Sequence, residues 1–272
     1  MKEDKSQSPS QEETSRSPET RKSDSLDPIL KQWPFDPQAV NVRMLDLASR
    51  SVLQMRVDMG VLQMEIEGRP DGVKFDGEMT YFDFLKQKSI MDHDEFLLDE
   101  ESCLEIDREF VQFYHRRVCW LQLKQFANAV RDADHTLQLM DFCKAYSPDE
   151  EWTVSHEQYR PFVLYHRTQA AALSHLNSED EDLTDRESIE LAIDEVNLGL
   201  NKLEALFIEY DAEEQFDDDD LVVRLREFRD GLRDKYEVGP TLNEQLADAI
   251  ANEQYEMAAS IRDQLAHRSR ND

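Results

Sequence analysis

A helical period that repeats itself constrains this chain more than any other feature. Phe113-Tyr114-His115-Arg116 is matched by Leu164-Tyr165-His166-Arg167, and Ala129-Val130-Arg131-Asp132 by Ala192-Ile193-Asp194-Glu195. Each segment lies in a stretch whose apolar residues return every third or fourth position, the spacing of one helix face. The repeat predicts two antiparallel helical hairpins, with the extra residues of the second unit confined to the acidic loop 178–187.

Local signals place the helix ends. The first helix begins near Asp99 or Ser102, with Glu105 placed to complete a capping box on Ser102, and carries Ile106, Phe110, Phe113, Tyr114 and Leu121. After a break near Lys124, the second sets Phe126, Ala129, Val130, Ala133, Leu137 and Met140 on one face. The third opens with Ser147 as N-cap, Pro148 at the first helical position, and Asp149, Glu150 and Glu151 at the positive end of the dipole. Pro161 should kink it, because its ring clashes with the preceding turn and a backbone donor is lost. Thr184 and Glu187 form a capping box for the fourth, which buries Ile189, Ala192, Ile193, Val196, Leu200, Leu203 and Phe207. A fifth runs from about Asp218 to Lys235. The aspartates 217–220 ahead of it read as a solvated helix start, since the spaced ligands and turn glycine of a calcium loop are missing.

Ahead of the helices the pattern changes. Residues 1–36 are rich in Ser, Pro, Glu and Lys and poor in large apolar side chains, the composition of a disordered tail. Residues 37–98 form a small strand-containing segment. Leu53, Met55, Val57 and Met59 alternate with Gln54, Arg56 and Asp58, and Leu62, Met64 and Ile66 with Gln63, Glu65 and Glu67. A hairpin or three-stranded sheet with its methionines facing the core is expected, ended by the turn Gly68-Arg69-Pro70-Asp71-Gly72. The fold class is therefore mainly α with a small N-terminal sheet.

Charge narrows the choice of partners. Sixty acidic residues against 31 basic ones give a net charge of −29, a field that repels phosphate backbones and anionic membranes, and no basic patch interrupts it. Neither direct nucleic-acid binding nor membrane association is expected. Cys103, Cys119 and Cys143 are widely spaced within or beside apolar helical patterns and read as reduced thiols. With no signal-like segment or long apolar run, a cytoplasmic protein is expected.

Ala129 and Ala192, early in each second helix, stand where small residues let helices approach, and residues 99–210 resemble tetratricopeptide repeats. The spacing is longer than that family's repeat, and two units are visible where three are usual. The resemblance implies a helical domain, 99–237, with a concave binding face. Arg116, Arg117, Arg160 and Arg167, together with His115 and His166, could converge there to clamp the acidic tail of a partner peptide. They could equally neutralise the chain's own carboxylates.

Val238-Gly239-Pro240 ends the fifth helix, and Thr241 with Glu244 opens another through a capping box. Leu242, Leu246, Ala249 and Ile250 follow at helical spacing; a polar turn falls at Asn252-Glu253-Gln254, and Tyr255, Ala258, Ala259, Ile261 and Leu265 mark a returning helix. Leu242, Leu246, Ala249, Glu253, Tyr255, Glu256, Ala258, Ala259, Arg262 and Asp263 resemble the UVR motif shared by UvrB and UvrC, so that 238–272 is identified as a UVR-type hairpin. The resemblance implies a protein contact of the kind that joins UvrB to UvrC, or that Clp-type ATPases and McsA make. Leu242, Leu246, Ile250, Tyr255, Ala258, Ala259, Arg262 and Asp263 are its expected contact residues. A unit this small must pack on its own chain or on a partner. Val57-Asp58-Met59-Gly60 and the 68–72 turn also resemble a group of bacterial proteins described by their UVR motif.

Sites that carry chemistry are sparse. There is no Gly-x-x-x-x-Gly-Lys loop, no Gly-x-Ser-x-Gly elbow, no His-Glu-x-x-His pair and no Cys-x-x-Cys, so neither a cofactor nor a metal is expected. Three functions stay open: an adaptor docking a partner through the hairpin, an accessory of nucleotide-excision repair, and an enzyme built on Tyr114, His115, Tyr165 and His166. The adaptor is the leading expectation, and the protein is not expected to be an enzyme.

Overall fold

The computed structural model describes residues 25–92, 96–177 and 184–268. A short helix α1 (Asp27–Gln32) leads into strands β1 (Asn41–Asp46), β2 (Ser51–Val57) and β3 (Gly60–Glu65), and α2 (Tyr81–Asp92) follows. The helical body is α3 (Glu100–Gln122), α4 (Phe126–Tyr146), α5 (Glu150–Glu157), α6 (Arg160–Leu176), α7 (Asp185–Glu209), α8 (Glu213–Phe216) and α9 (Asp220–Tyr236). After a linker come α10 (Leu242–Ala251) and α11 (Tyr255–Arg268).

The repeat folds as its sequence implies. Helix α3 packs on α4 and α6 on α7, giving two helical hairpins, and α4 against α6 joins them. Helix α9 closes the far side on α7 and α6. Ile193, Val196, Leu203, Val222 and Leu225 form the core of that second half, and each such burial contributes about 1.5–3 kcal/mol of transfer free energy. Ala129 and Ala192 are fully buried at close helix contacts. The tightest contact lies elsewhere: a Cβ added to Gly199 on α7 would stand 2.1 Å from Thr168 Oγ1 on α6. Lys124 makes the break between α3 and α4 by adopting a φ of 58°.

Helix α3 starts at the first of its two expected positions, while the starts of α5 and α6 differ from their sequence-based placement. Asp99, not Ser102, caps α3, its carboxylate accepting the Ser102 N–H at 2.8 Å, and Glu105 instead engages Arg69 and Arg108. Asp149, not Ser147, caps α5 by accepting the Trp152 N–H at 3.0 Å. Pro161 kinks no helix. It lies in the first turn of α6, where a missing N–H costs no hydrogen bond, and so separates α5 from α6. The capping boxes at Thr184/Glu187 and Thr241/Glu244 are both formed, and Asp219 caps α9.

The three strands form one antiparallel sheet in the order β1-β2-β3. Leu53, Met55 and Met64 pack with Cys119, Trp120, Phe126 and Ala129, setting one sheet face on α3 and α4. The other face is not left to solvent, although its residues are polar. Gln54 and Arg56 are buried there: Arg43 stacks over Trp33 at 4.2 Å, Arg56 lies over Phe35, and Arg56 Nε donates to the Trp33 carbonyl. Residues 25–36, expected to belong to the tail, thus supply a short helix and an aromatic cover; residues 1–24 of that tail lie outside the described residues. Met59 is also displaced from its expected core position, lying in the β2–β3 turn at 88% exposure.

Buried charge latches sheet to body. Arg116 Nη1 donates to the Gly68 carbonyl at 2.7 Å and the Glu65 carbonyl at 3.1 Å, and Arg131 Nη2 to the Ile66 carbonyl at 2.8 Å. Arg69 reaches back to Glu105 at 2.9 Å and Glu109 at 3.7 Å. Glu109 also accepts the Tyr81 and Phe82 N–H groups, so a side chain of α3 caps α2.

Candidate functional site

Two regions carry the residues singled out from sequence: the inner faces of the helical hairpins and the C-terminal hairpin. On the first, the structure does not gather Arg116, Arg117, Arg160 and Arg167 into one anion groove. Arg116 is buried in a two-pronged pair with Asp132, Nε to Oδ2 at 2.7 Å and Nη2 to Oδ1 at 2.9 Å, while Trp120 Nε1 also donates to that carboxylate. Arg160 holds Glu157 by two bonds of 2.6 and 2.7 Å and Asp141 at 2.9 Å. Arg167 bridges Asp134 at 3.0 Å and Glu195 at 2.7 Å. The physical reason is internal neutralisation: in so acidic a chain, a desolvated guanidinium finds a carboxylate of its own first. Arg117 is the exception: among the described residues its one hydrogen-bond partner is Thr136 Oγ1, at 3.1 Å.

Among the described residues, Tyr114, His115, Tyr165 and His166 make no side-chain hydrogen bond to one another. His115 packs by Tyr114, and His166 by Phe162 at 4.1 Å; the Nδ1 of each is buried without a partner. Burial lowers both imidazoles, His166 to about 4 with help from the Arg117 charge, so both rings are neutral at pH 7. Burial raises the Cys119 thiol to about 12 and Cys143 further, which removes them as nucleophiles near neutrality. Among the described residues no group of three or more His, Cys, Asp or Glu could hold a metal ion, and no helix is long and apolar enough to cross a membrane.

The C-terminal hairpin is built differently from the body. Val238 still belongs to the body core, and Gly239-Pro240 then carries the chain away. Helices α10 and α11 pack on each other through Ala249, Ala258 and Ile261, with Leu242, Leu246 and Leu265 at the margin; this cluster consists of hairpin residues alone. Their turn depends on Glu253 at a φ of 57°, with the Gln254 N–H returned to the Ala249 carbonyl at 2.7 Å.

Its link to the body is polar and sits at one end. Thr241 Oγ1 donates to Asp194 Oδ1 at 2.5 Å and Asn243 Nδ2 to Asp194 Oδ2 at 2.7 Å. Glu244 accepts from Asn197 at 2.8 Å and from Arg233. Burial pushes the Glu244 carboxyl up, but the Thr241 N–H, Asn197 and Arg233 outweigh it and hold the group below the ordinary range. Burial raises Asp194 against its two donors. Residues 194, 197 and 233 were invisible as anchors in the sequence, being surface-type polar side chains with no local pattern tying them to 241–244.

The residues matching the motif divide by orientation. Leu242, Leu246, Ala258 and Ala259 turn inward or lie at the hairpin margin, so their task is to hold the two helices together. Ile250 at 55% and Tyr255 at 68% are exposed, as are Arg262 and Asp263. Exposed Met257 joins them, unmarked in sequence because its helix position predicts nothing about the far face. Residues 240–267 match the family model of the UvrB/uvrC motif. The hairpin carries a UVR motif. No curated protein and no solved structure gives a significant match to the chain. The UVR hairpin thus presents Ile250, Tyr255 and Met257 around its turn, at the end opposite its polar anchor.

Proposed function

We propose that the protein is a non-enzymatic adaptor of the cytoplasm that takes a protein partner on the turn end of its UVR hairpin. One observation carries this reading: the hairpin has a minimal core of its own, is tied to the body by side-chain hydrogen bonds at its base, and leaves large apolar side chains exposed at its tip. A two-helix unit gains little from folding alone, so apolar burial against a second chain is the step that would order it firmly. The partner belongs to the class that UVR motifs contact, a UvrB- or UvrC-type protein or a Clp-type ATPase component. A role in excision repair would run through such a protein, because a chain of net charge −29 has nothing to offer a phosphate backbone.

Titration calorimetry of the full chain against purified UvrB, UvrC and a Clp-type ATPase tests this. Binding to one of them should weaken at least about tenfold in Ile250→Asp and in Tyr255→Ala, the cost of removing central apolar contacts, while helix content stays unchanged. Ala258→Glu is unsuitable for that purpose, since it would open the hairpin itself. Undiminished binding in both tip variants would remove the hairpin tip as the docking element.

A further inference from the structure

Between α3, α4, α5 and α6 lies a cavity of about 840 Å³ that the UVR reading does not use, lined by Phe110, Val111, Tyr114, Trp152, Tyr159 and Phe162, and by Arg117 with Thr136. Its walls are apolar and aromatic, and its size is that of a small-molecule site. Arg117 makes it more than a packing defect. That side chain is 2% exposed, its Nε has no hydrogen-bond partner, and no carboxylate lies within ion-pairing distance among the described residues. Asp132, the carboxylate whose charge acts on it, is already held by Arg116 and Trp120. Asp107, on the cavity wall, is engaged by His156 Nε2 at 2.8 Å and Trp152 Nε1 at 3.0 Å. Although burial lowers Arg117 to about 10, the guanidinium remains charged at neutral pH.

A buried cation without a counter-ion is expensive, whereas its neighbours Arg116, Arg160 and Arg167 all have one. We propose that the cavity binds a small monocarboxylate with an apolar body, its carboxylate on Arg117 and Thr136 and its body between the aromatic walls. A planar guanidinium beside a hydroxyl suits a carboxylate head, and the lining offers no second cation for a doubly charged one. This site is independent of the hairpin, and its failure leaves the docking reading untouched.

The test is calorimetric titration of the full chain with decanoate well below its micellar concentration, with decanol and decylamine as controls. Decanoate should bind one to one, at least about tenfold more tightly than either control, the factor a charge-assisted pair contributes. Arg117→Met should abolish that preference. Val111→Trp, which fills the cavity from its exposed side and leaves Arg117 in place, should abolish binding in a chain whose unfolding midpoint is retained. Equal affinity for decanol, or full binding by either variant, would overturn the proposal. So would a peptide ending in Leu with a free carboxylate that bound tenfold more tightly than decanoate, because the site would then read chain termini.

Discussion

Acid should weaken this fold in part through one histidine. His166 lies beside Phe162 with Nδ1 buried and unpartnered, and burial together with the Arg117 charge lowers it from 6.5 to about 4. The folded state therefore disfavours protonation that the unfolded chain accepts. Its contribution is fully present above the unfolded value and is lost as pH falls from 6.5 towards 4. At pH 5 the unfolded imidazole is protonated and the folded one is not, so about 2 kcal/mol is lost relative to pH 7.5, rising to roughly 3 kcal/mol below pH 4. His166→Phe removes the titration. Urea melts of both chains at pH 7.5 and pH 5 isolate the effect, because His115, His156 and the carboxylates titrate alike in each and cancel in the comparison. The wild type should lose about 2 kcal/mol more than the variant between the two pH values. An equal loss in both would refute the burial argument.

Other changes act on single contacts. Gly199→Ala should destabilise by about 1–3 kcal/mol in urea melts, since its methyl would collide with Thr168; helix propensity alone predicts a gain of about 1 kcal/mol, so the sign decides. Asp132→Ala leaves Arg116 buried without its carboxylate and should cost about 3–5 kcal/mol. Hydrogen exchange should show the sheet loosening with it, because Arg116 also holds the Glu65 and Gly68 carbonyls. Glu253→Gly should stabilise the hairpin by up to about 1 kcal/mol, measured as slower exchange across α10 and α11, by relieving a left-handed backbone at a non-glycine residue.

What was legible in the sequence was whatever depends on neighbours in the chain. Helical period, the capping boxes at Thr184 and Thr241, the break at Lys124 and the small residues Ala129 and Ala192 all act over a few positions, and all stand in the structure. The UVR hairpin was legible for the same reason, its motif being the pattern of two short helices that pack on each other. Readings that required distant partners fared differently. Gln54 and Arg56 have the period of a solvent face, yet Trp33 and Phe35 cover them from twenty residues upstream. Glu105 has the spacing of a capping residue, but Arg69 from the sheet-side turn claims it. The repeated arginines look free in a list of helix positions, while Asp132 on the next helix and Glu195 across the second hairpin pair with them.

The charge balance of the chain joins these observations. With almost twice as many acids as bases, an interior arginine commonly finds a carboxylate, and Arg116, Arg160 and Arg167 use theirs to tie helix to helix. Such pairs add little net stability over apolar packing but strongly penalise misalignment, because a displaced strand would leave a charge buried alone. Arg117 breaks that rule in a molecule rich in counter-ions, at the one repeated arginine that opens on an aromatic cavity. The hairpin differs in another way: beside a core of three buried residues, α10 and α11 expose Ile250, Tyr255 and Met257 around one turn. A small carboxylate would complete the first place and an apolar protein surface the second.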